Sequence, residues 1–213
     1  MTRVTLKQLS QIISPRSKAT ILMELFLNPT KKFSTRELAR ITGLNIHTVV
    51  RSLEKLEQIK LIQITRIDGR KNRIILNQDH PLFNPLLTMF HTSSAVGQFL
   101  IRQVHSQKNI LICLLTYYYL LQKPKKQFNF DVLFVIENKT IMPFIAQTMQ
   151  EAETIAGKQL VYTILTKAEF QTRKDSLDPF VWDVLSHVFV PLKGSIRQIL
   201  GISKILQQEQ QDS

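Results

Sequence analysis

Residues 34–60 read STRELARITGLNIHTVVRSLEKLEQIK, and the fold of the first half of the chain turns on how that stretch is punctuated. Ser34 stands where an N-cap oxygen is needed. Glu37 follows three residues later, where its carboxylate can return a bond to the Ser34 backbone N–H, so the pair reads as a capping box. Leu38, Ala39 and Ile41 give the helix that follows an inward stripe. Thr42-Gly43 ends it, because glycine reaches the left-handed conformation of a tight turn without a Cβ penalty. Asn45 then caps a second helix. In that helix Val49, Leu53 and Leu56 fall at i, i+4 and i+7, a single buried seam. The opposite face shows His47, Thr48, Val50, Arg51, Ser52 and Lys55. A helix with short polar groups and an arginine outward, held across a preceding helix by a glycine turn, is a helix-turn-helix pattern. An ordinary helical hairpin with a solvated basic face shares that local pattern, so the flanking sequence decides.

Downstream, residues 61–67, LIQITRI, are rich in β-branched residues and fit a strand. Asp68-Gly69 is a hairpin turn signal, and residues 73–76, RIIL, return as the partner strand. Arg66, Arg70, Lys71 and Arg73 crowd the turn. A hairpin with a cationic tip directly after such a helix is a wing, placed to touch phosphate or enter a minor groove. Upstream, Ser14-Pro15 opens a helix with an apolar stripe of Ala19, Leu22, Leu25 and Phe26, ended by Asn28-Pro29. This is the scaffold helix, preceded at 4–13 by a short segment that packs on the same domain. Lys31 and Lys32 lie just before Ser34, either near a nucleic-acid backbone or in a solvated loop.

Charge supports a polyanionic partner. The chain has 213 residues and a net charge of +12. Residues 1–80 hold 15 Lys/Arg against 6 Asp/Glu, a net +9, and residues 81–213 hold 13 against 10, a net +3. A basic surface binds polyanions by counterion release whatever their sequence, so double-stranded DNA is the partner expected. No basic amphipathic helix with a broad apolar face points to a membrane. Apolar content of 44% and charged content of 21% are those of a soluble globular protein. The apolar run at 109–121 is too short to span a bilayer, and the N-terminus has no apolar signal region. The single Cys113 reads as a buried structural thiol, which fits a cytoplasmic protein. His47, His80, His91, His105 and His187 show no pair at metal-ligand spacing, so no metal and no cofactor is expected.

Residues 15–87 resemble winged-helix regulators of the arsenical-repressor type. The resemblance rests on FSTRELARITGLNIHTVVRSLEKLEQIKLI, the wing RIDGRKNRIIL and the following NQDHPLFNPLL. It implies that the second helix of the motif enters the major groove, with His47, Thr48, Val50, Arg51 and Ser52 facing bases and Lys55 nearer phosphate. Arginine can bind guanine O6 and N7 together, Ser or Thr can bond either base type, and Val50 suits a thymine methyl. The metal-sensing cysteines of some members have no counterpart here. A regulator of this kind would act as a homodimer, its two copies reading half-sites about one helical turn apart.

Residues 77–92 carry two prolines and then an apolar series, a linker into a helix. The boundary is placed at 90, giving a winged-helix domain at 1–90 and a small α/β domain at 91–213, an α+β chain overall. In the second domain a helix at 94–107 carries Val96, Phe99, Leu100 and Val104. Strands are expected at 110–115, 130–136, 159–165 and 188–190, and helices at 140–156 and after Asp178-Pro179. Lys193-Gly194-Ser195 caps a last helix, followed by the tail QQEQQDS. Order and spacing over 95–195 resemble the minimal nucleotidyltransferases, whose chemistry needs a Gly-Ser turn for phosphate and paired carboxylates for two metal ions. This chain has Tyr117-Tyr118 at the Gly-Ser position, Asn129-Phe130-Asp131 at the Asp-x-Asp position and no carboxylate on the third strand. The expectation is therefore a degenerate, inactive domain used for dimerisation, for docking a protein partner or for sensing a small ligand. An active nucleotidyltransferase of the toxin–antitoxin type, using Asp131, is the alternative.

Overall fold

The computed structural model describes residues 13, 15–67, 71–121 and 131–195, with backbone alone at Arg66, Ile67, Lys71 and Leu185. The expected segment at 4–13 lies almost wholly outside those residues. So do the turn at 68–70, the basic loop at 123–126, Asn129, and the last helix with its tail. The chain divides into two compact units. The first runs to Ser94 and takes in Leu120–Gln122, and the second comprises Ala95–Tyr119 and the residues from Lys123.

The first unit contains α1 (Arg16–Leu27), α2 (Thr35–Thr42), α3 (Ile46–Gln58), β1 (Ile62–Ile67), β2 (Lys71–Leu76) and α4 (Phe83–Ser93). Pro15 is the cap residue of α1 rather than its first helical residue, and Ala19, Ile21, Leu22, Leu25 and Phe26 are buried. The Ser34 hydroxyl accepts from Glu37 N at 3.1 Å, and the Asn45 side chain accepts from His47 N at 2.9 Å. Both caps satisfy N–H groups that a helix start leaves without partners. Between them Gly43 adopts φ +67°. Leu38 is buried but Ile41 is 38% exposed, so the inward stripe of α2 does not extend to Ile41.

β1 and β2 pair antiparallel from Ile62↔Leu76 to Ile67↔Lys71, so the second strand begins at Lys71 rather than at Arg73. A further pairing comes from Phe33, just ahead of α2. Its N–H donates to Ile74 O at 3.0 Å, and Ile74 N donates back to Phe33 O at 2.8 Å. That bridge stitches the entrance of α2 to the hairpin. α4 packs on α1: Phe90 stacks on Phe26 at 5.3 Å and Phe83 meets Phe26 at 5.7 Å. The buried His91 donates from Nε2 to Phe26 O at 3.1 Å, serving a carbonyl in the last turn of α1. Burial of aromatic side chains of this size stabilises by roughly 1.5–3 kcal/mol each. The helix expected at the domain boundary is thus part of the first unit's core.

The second unit contains α5 (Ala95–His105), β3 (Ile110–Leu115), the single turn α6 (Tyr117–Leu120), β4 (Val132–Ile136), a 3-10 turn (Lys139–Ile141), α7 (Met142–Ala156), β5 (Tyr162–Thr166), α8 (Lys167–Asp175), α9 (Pro179–Ser186) and β6 (Val190–Lys193). The sheet order is β5-β4-β3-β6. β4 and β5 are parallel, and β3 is antiparallel to both of its neighbours. α7 is the crossover that a parallel pair requires. Ile112, Leu114, Leu133, Val135 and Leu165 form one core with Phe170 of α8 and with Val181 and Val184 of α9.

Two expectations are corrected here. The last strand is Val190–Lys193 rather than 188–190, and α8 has no counterpart in the sequence reading. Lys193 ends β6 and turns its ammonium to α5, donating to Val104 O at 2.8 Å and to Gln107 O at 2.5 Å. This is the favourable placement of a cation at a helix C-terminus. No helix among the described residues is long and apolar enough to cross a membrane.

Candidate nucleic-acid interface

α3 sets the geometry. Val49, Ser52, Leu53 and Leu56 are its buried positions. A helix advances about 100° per residue, so the row opposite that seam is His47, Arg51, Glu54 and Gln58, all exposed. Val50 and Lys55 are exposed on its two flanks, and Thr48 is half-buried. The structure therefore brings His47, Val50, Arg51 and Lys55 onto one accessible face, with Thr48 at its margin.

Ser52 does not join them. It is only 6% exposed, and its hydroxyl donates to Thr48 O at 2.8 Å. A serine one turn after a helical carbonyl satisfies itself this way, and the seam it shares with Val49 and Leu56 turns it from any ligand of α3. Its assignment as a base-facing residue is corrected on that ground.

Of the wing residues, Arg73 is exposed on β2. Arg70 lies outside the described residues, as do the side chains of Arg66 and Lys71. The hairpin is held to α3 by Glu57, whose Oε1 accepts from Ile64 N in β1 at 3.3 Å. Among the lysines before α2, Lys31 is committed. Its Nζ lies 2.9 Å from Glu37 Oε1 and 4.8 Å from the centre of the Phe33 ring. The hydrogen bond from Lys31, followed by smaller contributions, holds the Glu37 carboxyl below the usual carboxylate range. Lys32 is exposed.

Four further residues of α2 and α3 are exposed. Arg36 and Arg40 of α2 are exposed, and Ile41 and Ile46 are exposed hydrophobics beside the glycine turn. The arginines were legible as charges in a helix with one buried face. Ile46 was legible from its spacing to Val50, since residues four apart share a helical side.

In the second unit the position at which the resemblance would put a Gly-Ser turn holds Tyr117 and Tyr118. Tyr117 stacks on His187 at 4.1 Å. The Tyr118 hydroxyl donates to Asp183 Oδ2 at 3.0 Å. Burial, then the hydrogen bonds with Tyr117 and Asp183, push the Tyr118 phenol far above its ordinary range. Asp131 is 2% exposed, and its Oδ2 accepts from Val161 N at 2.9 Å. Its backbone N–H donates to Val161 O at 2.6 Å, and its carbonyl accepts from Thr116 N at 2.9 Å. Among the described residues, no group of three or more His, Cys, Asp or Glu side chains is placed to hold a metal ion. Cys113 is buried, and burial raises its thiol well above the usual range.

No protein-family model matches the chain, and no curated protein matches it. Among solved structures, MepR, a transcription regulator of the Staphylococcus aureus multidrug efflux pump MepA, is 21% identical, with 48% of this chain and 75% of that chain covered at a TM-score of 0.35. Superposition that loose has no bearing on function.

Proposed function

We propose that this protein is a sequence-specific DNA-binding transcriptional regulator whose first unit reads duplex DNA. α3 lies in the major groove with His47, Thr48, Val50 and Arg51 over base edges and Lys55 toward phosphate. The hairpin, with Arg66, Arg70, Lys71 and Arg73, lies against backbone or minor groove. One observation carries the reading: the exposed face of α3 pairs His47 and Arg51 on a single row within a stretch whose net charge is +9. Arginine forks match guanine, and surrounding cations displace counterions from phosphate. Two copies reading half-sites about one helical turn apart complete the assembly.

For the second unit we infer a role in dimerisation, partner docking or ligand sensing rather than nucleotide transfer. The burial of Asp131 and its bond to Val161 N support that reading, since two-metal chemistry needs carboxylates that face the reacting phosphates.

The test is fluorescence-anisotropy binding of random duplex DNA across a salt series. Affinity should fall steeply with salt, with a log–log slope of about −0.9 for each phosphate contacted. Absence of binding even at low salt would sink the DNA reading. Incubation with labelled nucleotide and magnesium tests the other half: transfer that disappears in Asp131→Ala would overturn the inactive assignment.

A further inference from the structure

Ile46 and Val50 stand one turn apart on α3 and are 41% and 39% exposed. They define a row beside the outward His47–Arg51 row. Glu57 lies further along the same side and is tied to Ile64 N of β1, so this apolar row runs along the wing side of the helix. Ile41, 38% exposed, precedes it across the glycine turn. β-branched side chains are indifferent helix formers. With about two-fifths of each left in water, each forgoes roughly 1 kcal/mol of burial. Helix stability therefore does not account for them.

What would cover them is indicated by the charges around them. Arg51 stands on the adjacent outward row of α3, and Arg36 and Arg40 on α2 and Arg73 on β2 are exposed in the same unit. Glu54, on the outward row of α3, is an exposed acid beside them, while Glu57, also exposed, is bonded to Ile64 N. An apolar strip beside an exposed arginine, in a stretch of net charge +9, suits an anionic partner that carries methyl groups. In a major groove that group is the thymine C5-methyl.

We propose, on the basis of the DNA-binding reading above, that Ile46 and Val50 form a thymine-methyl reader that sets base preference beside Arg51. Four helical residues advance about 6 Å, and base pairs stack about 3.4 Å apart. The two side chains thus meet methyls roughly two base-pair steps apart. Glu54, one turn beyond Val50, is the group that would accept from a cytosine amine next to them.

The experiment uses the full-length protein and the sequence it enriches from a random duplex library, resynthesised with deoxyuridine in place of thymidine. Deoxyuridine keeps every hydrogen-bonding edge and lacks only the methyl. Loss of one buried methyl weakens binding about fourfold, and loss of two about 15-fold. The Val50→Ala variant should bind the thymine duplex more weakly and lose half of this discrimination. The double variant I46A/V50A should bind both duplexes alike.

Equal affinity of the parent for the two duplexes would overturn the methyl reader while leaving DNA binding standing. So would enrichment of a site without thymine. Discrimination that survives intact in I46A/V50A places the methyl contact elsewhere and also overturns the assignment. If neither variant changes DNA binding but both abolish capture of a protein, the strip is a protein-docking surface and the proposal fails. A parent that binds no duplex at any salt fails at the earlier step, the DNA reading itself.

Discussion

Arg51 is the residue at which the DNA reading is most exposed to refutation. Its guanidinium is the only arginine on the outward row of α3, beside His47 and opposite the seam of Val49, Leu53 and Leu56. Truncation to alanine removes no buried group, so the fold should be untouched. A bidentate arginine–guanine contact is worth about 1–3 kcal/mol of discrimination, which corresponds to a loss of about 5- to 150-fold on the preferred duplex. On random DNA the same substitution removes one positive charge and no base contact. Affinity there should fall far less, with the salt slope flatter by at most about 0.9. Arg73→Ala supplies the contrast. Arg73 is exposed on the hairpin, and its loss should weaken preferred and random DNA alike, with the slope flattened by about 0.9 and preference kept. Anisotropy titrations of both duplexes with both variants, over one salt series, give all four numbers. The reasoning is refuted if Arg51→Ala weakens the two duplexes equally. It is refuted equally if Arg73→Ala is the substitution that relaxes preference.

Ser52→Ala checks the corrected face. With the hydroxyl bonded only to Thr48 O, stability should shift by about 0.5 kcal/mol or less and DNA preference should not move; relaxed preference would return Ser52 to the reading surface. Gly194→Ala should unfold the second unit. A Cβ there lies 2.1 Å from Leu111 O, in addition to about 1–2 kcal/mol for a side chain in the left-handed region, and a urea midpoint like the parent's would contradict the clash. Glu169→Gln should lower thermal stability only where the carboxylate is charged. The bond from Thr166 N, then that from Lys139, lower the Glu169 pKa from 4.5 to about 2. Its stabilisation is therefore complete above the unfolded value and is lost as pH falls toward about 2. Melting curves of parent and variant should converge across that window, and a constant gap would show that the charge is not responsible.

The helix-turn-helix was legible because its signals are local. Ser34 and Asn45 cap the helices they precede, and Gly43 has the positive φ its position demanded. Periodicity was less informative where a helix face ends at a turn: Ile41 and Ile46 fit an apolar pattern yet remain exposed, because apolar spacing does not say whether a partner element reaches that far. The Phe33–Ile74 bridge left no trace, since a single paired residue has no period. β6 was displaced by Pro191, which pairs with Leu114. Proline argues against a central strand but is tolerated at an edge, and β6 is the edge strand of its sheet. α8 buries one residue, Phe170, too few for an apolar stripe. Its start was nonetheless written in Thr166-Lys167-Ala168-Glu169, a capping box in which both reciprocal bonds form.

Asp131 shows why a single matching letter is weak grounds for chemistry. At the level of motif it fills one place of the acidic pair that the resemblance would require. In the fold it joins three segments: its carboxylate and N–H engage Val161 at the start of β5, and its carbonyl takes Thr116 N at the end of β3. A carboxylate that stabilises backbone N–H groups in this way is useful to a sheet with no metal present, because unpaired N–H groups are costly once buried. The neighbouring positions follow the same logic. Tyr118 engages Asp183 and Tyr117 stacks on His187, so side chains occupy the region where a phosphate-binding turn would leave backbone open. Folding is thus a sufficient reason for an acid at position 131, and its presence favours neither an active nor an inactive unit. What discriminates is the orientation of its lone pairs, and one of them is already directed at Val161 N.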